Sequence, residues 1–460
     1  MSQKKSGFIL AGGETLNSIC DRYLKSEGED YITREGINSM LNKSISGVLH
    51  SFGEAFEKRR NINTHIKSHR KIFQSMIDTK ILDGINIFCD SGGFQASIGR
   101  LEKESTDDLI QAYHKFLREE HNLIDRAFVL DLPPGPGCKI FHSFEEIYEK
   151  NLETYKMASE FPDEIRSKMI YIHHFRTPKL WNIFNRILFE NDLFEKFSHF
   201  ATGGIVANTK GDSNIPCIIY VLPLIPLLIQ CKKRNIKKLD FHILGGATFR
   251  DLFFYEILEK HIKEVHDIQV NFTFDSSSLF KGLMIGRFIV IIEEDGTFRK
   301  LDLRSSLLDL RFKGKETHRT TYLKHLNKMA QKYNFKPLNL TEPYSKETGT
   351  FFPIFSVYTM LFMLDQFSEC QTMFSKSATN FYELYKMDKI EELNFETNEI
   401  TKKINKGNIT RKQTAKNFGL INSLKIITEL NYDYCEYIVN KCLSKDEFIN
   451  LSDRKKILTF

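Results

Sequence analysis

The sequence predicts a (β/α)8 barrel with a β-hairpin insertion and a mainly helical C-terminal region. Three observations point there. From about residue 5 to 280, short apolar runs ending in Gly or Asp alternate with longer amphipathic segments, the pattern of repeated βα units. Eight such runs occur, which suits a closed parallel barrel. After them the pattern changes. Residues 287–303 carry two strand-like runs flanking Asp295-Gly296, a strong hairpin turn signal, and helical stretches take over beyond Pro337.

The candidate strands, in order, are 6–10, 46–51, 85–89, 126–131, 169–174, 200–206, 240–244 and 270–274. The third shows Ile85, Ile87, Phe88 and Cys89 directly ahead of Asp90, and the fourth ends at Asp131 before a loop stiffened by Pro133, Pro134 and Pro136. The sixth runs into Gly203-Gly204, the seventh into Gly245-Gly246, and the eighth, Val270 to Phe274, into Asp275. In a barrel of this kind the C-terminal strand ends carry the chemistry. A domain boundary is placed near 335, leaving 1–335 as the barrel with its hairpin and 336–460 as a helical, basic region. Its helices are expected near 353–378, 380–394, 411–430 and 433–443, with a polar linker around 396–410.

Composition narrows the setting. A chain of 460 residues with 41% hydrophobic content has room for a barrel-sized core. Its eight cysteines are scattered without CxxC or CxC spacing, against a disulfide framework or zinc cluster and for a reducing, cytoplasmic compartment. The most apolar stretch, 215–229, contains Pro216, Pro223 and Pro226 and reads as a buried element, not a membrane span. At the N-terminus the apolar run after Lys4-Lys5 is too short for a secretory signal. Net charge is only +6, but positive residues cluster. Residues 58–71 hold Lys58, Arg59, Arg60, Lys67, Arg70 and Lys71 with His65 and His69; residues 401–425 hold Lys402, Lys403, Lys406, Arg411, Lys412, Lys416 and Lys425. A third group is Lys232, Lys233, Arg234, Lys237 and Lys238. Each alone suits a solvated face, whereas three together make nucleic acid a reasonable partner.

The segment Asp90-Ser91-Gly92-Gly93-Phe94-Gln95 puts a carboxylate, two glycines and an aromatic ring after a buried strand. Such a loop suits a planar, hydrogen-bonding ligand such as a nucleobase; read alone, it fits better a tight turn with Asp90 as a helix N-cap. Asp275 repeats the arrangement of strand, aspartate and small polar residues, with the same N-cap alternative. Two loop-borne carboxylates facing each other across a barrel mouth could serve as nucleophile and proton carrier, the logic of a retaining glycosyl transfer. Asp131 could accept from a nucleobase edge, or its loop could be a rigid turn. His173-His174 is a weak metal candidate, because adjacent strand residues face opposite ways.

The ordered set DSGGFQ (90–95), LDLPPGP (130–136), ATGGIV (201–206), HILGG (242–246) and FTFDSSS (272–278) resembles the tRNA-guanine transglycosylase superfamily over roughly residues 80–280. The resemblance implies a (β/α)8 barrel that exchanges a guanine in a nucleic acid for a 7-deazaguanine base through a covalent sugar–enzyme intermediate, with no cofactor. It casts Asp275 as nucleophile and Asp90 as general acid/base. Asp131 then recognises the base, Phe94 and Leu244 lie on its two faces, and Ser91, Gly92, Gly203, Gly204 and Gly245 complete the pocket. His173 falls where the family has a base-binding glutamine.

The departure follows Asp275. Members acting on tRNA hold a structural zinc with a CxCxxC cluster and a later His, whereas residues 281–369 contain no cysteine, so no metal is expected. In this the chain is similar to the DpdA-type branch, which inserts 7-deazaguanine bases into DNA in bacteria and their viruses. Abundant Phe, Lys, Ile and Asn with a single Trp fit an AT-rich genome such as a phage's. The expected function is therefore a DNA guanine transglycosylase using preQ0 or a related base, in host cytoplasm if viral, with or without helper proteins that open the duplex. The basic residues, Lys58, Arg59, Arg60, Lys402, Lys403, Arg411 and Lys412 foremost, would hold phosphates. The alternatives are the same chemistry on tRNA and a non-catalytic nucleic-acid-binding subunit.

Overall fold

The computed structural model describes residues 7–26, 29–53, 56, 61–93, 95, 100, 103–134, 140–174, 177–203, 221–246, 249–276, 289–292, 298–301, 316–338, 353–389, 420–430, 432, 433 and 436. Eight parallel strands close into a barrel in sequence order: β1 (Phe8–Ala11), β2 (Gly47–Ser51), β3 (Asn86–Asp90), β4 (Arg126–Phe128), β5 (Met169–His174), β6 (His199–Gly203), β7 (Lys238–Ile243) and β8 (Gln269–Ser276). Each lies within a few residues of its predicted position. The ring shuts where β8 pairs with β1, Asp275 opposite Ile9. The fold is a TIM-type (β/α)8 barrel.

Helices alternate with these strands and cover the barrel: α1 (Gly13–Ser26), α2 (Arg34–Ser44), α3 (Ile62–Asp78), α4 (Lys103–Glu120), α5 (Phe144–Ser159), α6 (Pro178–Phe189), α7 (Leu224–Lys233) and α8 (Phe249–His266). Their starts follow local chemistry. Thr33, Asn61, Ser143 and Thr177 each accept a hydrogen bond from a backbone N–H in the first turn, satisfying donors that a helix leaves open, and Pro178 sits at a first-turn position where its missing N–H costs nothing. The apolar stretch expected to be buried supplies α7, whose Leu224, Ile225, Leu227 and Leu228 are in the core. Among the described residues no helix is long and apolar enough to cross a membrane.

Two apolar layers hold the barrel. Ile9, Leu49, Phe88, Phe128, Ile170, Ile172 and Ala201 fill the interior, while the larger outer core lies between strands and helices. Because side chains alternate along a strand, this division fixes which residues can enter the barrel mouth.

Past the barrel, β9 (Ile289–Ile292) and β10 (Phe298–Leu301) pair antiparallel as the predicted hairpin; its turn lies outside the described residues. Helices α9 (Glu316–Lys332), α10 (Pro353–Lys386) and α11 (Leu420–Glu429) follow. The expected pair 353–378 and 380–394 is instead one helix to Lys386. No Gly or internal Pro interrupts it, and Ala378 and Phe381 continue its buried stripe. The outer core is continuous across residue 335. Helix α10 packs on α1, α2 and α8, and Phe367 reaches the Phe8 ring with centroids 4.4 Å apart. Helix α8 also receives α11, through His261 Nε2 at 2.9 Å from the Leu424 carbonyl and His266 Nε2 at 2.7 Å from that of Ile427.

Candidate active site

Asp90, Asp131 and Asp275 come from three strands and converge at the C-terminal mouth of the barrel. Asp90 ends β3 opposite Ser51 of β2, Asp131 lies three residues past β4, and Asp275 is the penultimate residue of β8. Ser51, His174, Gly203, His242, Leu244 and Thr273 share the inward parity of the strands around them.

Glycines clamp the loops that carry two of these aspartates. Gly92 has φ +85°, a conformation glycine adopts without strain, and packs backbone to backbone on Gly53 after β2. A Cβ on Gly93 would collide with the Asp131 carbonyl oxygen. The Phe52 N–H donates to the Asp90 carbonyl at 2.8 Å, so the loops after β2, β3 and β4 are joined at this point. The Gly-Gly pair therefore does two jobs that any larger residue would undo. Ser91 is fully buried, and its hydroxyl accepts weakly from the Gly93 N–H at 3.4 Å, which assigns it to bracing the loop.

Asp131 is buried and paired with His174, whose Nε2–H donates to its carboxylate. The backbone after it is gripped by Asn151 of α5, which accepts from the Leu132 N–H at 2.8 Å and donates to the Leu132 carbonyl at 3.2 Å. On β6, Gly203 lies opposite His174, and a Cβ there would overlap the imidazole. Gly203 thus makes room for the ring. The assignment of His173 to the base-binding position is corrected by strand parity. Ile170, Ile172 and His174 face inward, whereas His173 faces α6, where its Nε2 meets Asn185 Oδ1 at 2.9 Å. Burial pulls its pKa down to about 4, outweighing that hydrogen bond, so it is a neutral histidine of the outer layer.

Asp275 is held by one oxygen. Oδ1 accepts from the Gly245 N–H at 2.8 Å and lies 3.3 Å from His242 Nε2. Gly245, at φ +75°, makes the turn that aims its N–H back at β8. Leu244, just before it, is half-buried against the interior layer on the same face as His242.

Asp90 feels the other two carboxylates. Burial pushes the Asp90 pKa up to about 6, and the charges of Asp131 and Asp275 add to the rise against hydrogen bonds from Ser51 and the Gly92 N–H. A carboxyl poised there can give and take a proton near neutral pH.

Sequence reasoning passed over His242, Ser51 and Gly53, and weighed His174 only as a weak metal candidate beside His173. For His242 the signal was present: two residues before Leu244 on one strand, it had to share that residue's face. For His174 it was not, since β5 is buried on both faces and every residue before the histidines is apolar or aromatic.

Phe94, Gly204, Lys58, Arg59, Arg60, Lys402, Lys403, Arg411 and Lys412 lie outside the described residues. Part of the first basic group and the whole of the third lie within the described residues. His65 and His69 point into the core from α3, and Arg70 pairs with Glu119 and Glu120 of α4. In the third group, Arg234 pairs with Glu195, Lys237 with Asp267 at 3.1 Å and Lys238 with Asp240 at 3.7 Å. Lys237 and Lys238 stand at the start of β7, at the end of the barrel opposite the aspartates. Among the described residues no three His, Cys, Asp or Glu side chains are arranged to hold a metal ion. No family model, curated protein or solved structure matches the chain.

Proposed function

We propose that the protein is a DNA guanine transglycosylase, exchanging a guanine for a 7-deazaguanine base such as preQ0 through a covalent intermediate on Asp275. The observation that carries this reading is the meeting of three aspartates at one barrel mouth in three different environments. Asp275 has one oxygen tied by N–H donors and can act as nucleophile. Asp90, with its pKa near 6, is the proton carrier. Asp131, fixed by His174 and Asn151, offers an acceptor for the donor edge of a guanine-like base.

In the first half-reaction Asp275 attacks C1′ and the bond to guanine breaks, while Asp90 supplies the proton that the departing base needs. In the second, Asp90 takes the proton from the incoming base, whose nitrogen displaces Asp275 from C1′. The target nucleotide has to leave the base stack to reach the mouth. The choice of DNA rests on the resemblance and on the absence of cysteine from 281–369.

The test is to incubate the protein with preQ0 and duplex DNA, single-stranded DNA or tRNA, digest each product to nucleosides and identify them by mass spectrometry. A 7-deazaguanine deoxynucleoside from DNA alone is expected. A modified ribonucleoside from tRNA would transfer the same chemistry to RNA, and no exchange in any arm would leave a binding protein.

A further inference from the structure

We infer that Asp275 divides its labour between its two oxygens, with Oδ2 attacking and Oδ1 anchored, and that His242 is a positioning residue whose N–H sets the lifetime of the covalent intermediate. This rests on the reading proposed above. Both donors that the described residues direct at Asp275, the Gly245 N–H and His242 Nε2, reach Oδ1. The attacking pair of electrons therefore comes from the other oxygen.

The tautomer of His242 follows from Asp275, whose carboxylate oxygen only accepts, so the Nε2 that faces it carries the proton. Thr273, the cross-strand neighbour of His242 on β8, places Oγ1 2.9 Å from His242 Nδ1. With that proton on Nε2, Nδ1 is left bare and the Thr273 hydroxyl donates to it. The opposite tautomer would set a lone pair against Oδ1, and the Thr273 contact supports the Nε2 donor by filling the bare Nδ1. Phe128 and Phe88 lie beside the imidazole with centroids at 5.1 and 6.2 Å, and the ring is buried, surroundings in which a hydrogen bond is stronger than in water.

The donor acts unequally on the two half-reactions. In the first, the Oδ2–C1′ bond forms, the bond from C1′ to guanine breaks with its electron pair leaving on the base, and Asp90 protonates that base. Asp275 becomes a neutral ester, and Oδ1 turns from a carboxylate oxygen into a weaker carbonyl acceptor. In the second, the incoming base loses its N9 proton to Asp90, N9 bonds to C1′, and the Oδ2–C1′ pair returns to Asp275, restoring the carboxylate. Hydrogen bonds to a charged oxygen are roughly twice as strong as those to a neutral one. The His242 N–H therefore restrains the attack and favours the breakdown, so its loss slows the second step more than the first and the ester accumulates.

The experiment compares wild type, His242→Phe, His242→Gln and Thr273→Val on single-stranded DNA with saturating preQ0, quenched in denaturant at steady state. The readouts are the fraction of enzyme linked to DNA and the turnover rate. In His242→Phe turnover should fall by about 10-fold or more while the linked fraction rises about threefold. His242→Gln, which keeps an N–H donor, should move both values back toward wild type. Thr273→Val should shift them in the direction of His242→Phe by less. A linked fraction that stays level or falls in His242→Phe while turnover drops would overturn the inference and leave His242 a packing residue. Absence of any adduct in wild type would instead remove the covalent mechanism, and this inference with it.

Discussion

Asp90 at the mouth and Asp240 near the floor occupy inward-facing positions of one barrel, yet their carboxyls titrate at opposite ends of the acidic range. Burial raises both. At Asp240 that effect is outweighed by hydrogen bonds from His199 and Asn271 and by the charges of His199 and Lys238, which bring the pKa down to about 2. At Asp90 the neighbouring charges are two more aspartates, and the value rises to about 6. The floor gives its carboxylate partners of opposite charge and becomes a structural network. The mouth gathers like charges that do not satisfy one another, at a cost in stability that inert packing has no reason to keep.

The largest effect that would break this contrast is at Asp275. Replacement by Asn should abolish the DNA-linked adduct and lower exchange by about 10⁴-fold, while DNA binding in a gel-shift assay stays near wild type; retained turnover would remove Asp275 as nucleophile.

Asp90→Asn should separate function from stability. Exchange should be lost, together with the decline in wild-type activity as pH rises through about 6, where the proton needed by the departing guanine is no longer held. Because the folded-state pKa lies above the ordinary value of 3.8, the carboxyl costs stability that grows between about pH 4 and 6 and is full above that. The variant should therefore unfold at higher denaturant than wild type at pH 7.5, by about 1–3 kcal/mol once partial solvent screening is allowed for, with the gap closing below pH 4. A variant no more stable at pH 7.5 would show that the mouth carries no such strain.

Gly93→Ala should drive the loop carrying Asp90 away from Asp131, costing about 1–3 kcal/mol in thermal unfolding and much of the exchange rate. At the floor, Asp240→Asn should leave exchange unchanged and cost about 1 kcal/mol at neutral pH. The depressed pKa of Asp240 means that its contribution is complete above about pH 4 and is lost as pH falls toward 2, so the variant and wild type should converge in acid. Smallest of all, Lys237→Ala with Lys238→Ala should leave the salt dependence of DNA binding unaltered, since both lysines lie at the far end of the barrel and pair with aspartates. A shallower salt slope would make the floor part of the nucleic-acid path.

The barrel is readable because its signals are local. Apolar runs of strand length, punctuated by Gly, Asp and Pro, recur eight times, and the third, fourth and eighth of them each lead directly into one of the three aspartates. The two histidines that hold Asp131 and Asp275 are harder to see. In a strand covered on both sides, hydrophobicity does not reveal which alternate residues point inward, so His173 and His174 are indistinguishable until β5 is set in register between β4 and β6. The pairing within the basic clusters is hidden for a related reason. Runs of Lys and Arg are visible in the chain, whereas the glutamates and aspartates that pair with Arg70, Arg234 and Lys237 sit about 30 to 50 positions away.

By itself the sequence determined the number and order of the strands, the loops that bear the carboxylates and the glycine pair beside Asp90, because each depends on backbone conformation and near-neighbour pattern. Only the tertiary structure decided which histidine serves which aspartate, why Asp90 holds its proton to about pH 6 and which lysines are already paired. Those properties arise from distances across a closed barrel, and they are set when its register brings remote side chains within reach of one another.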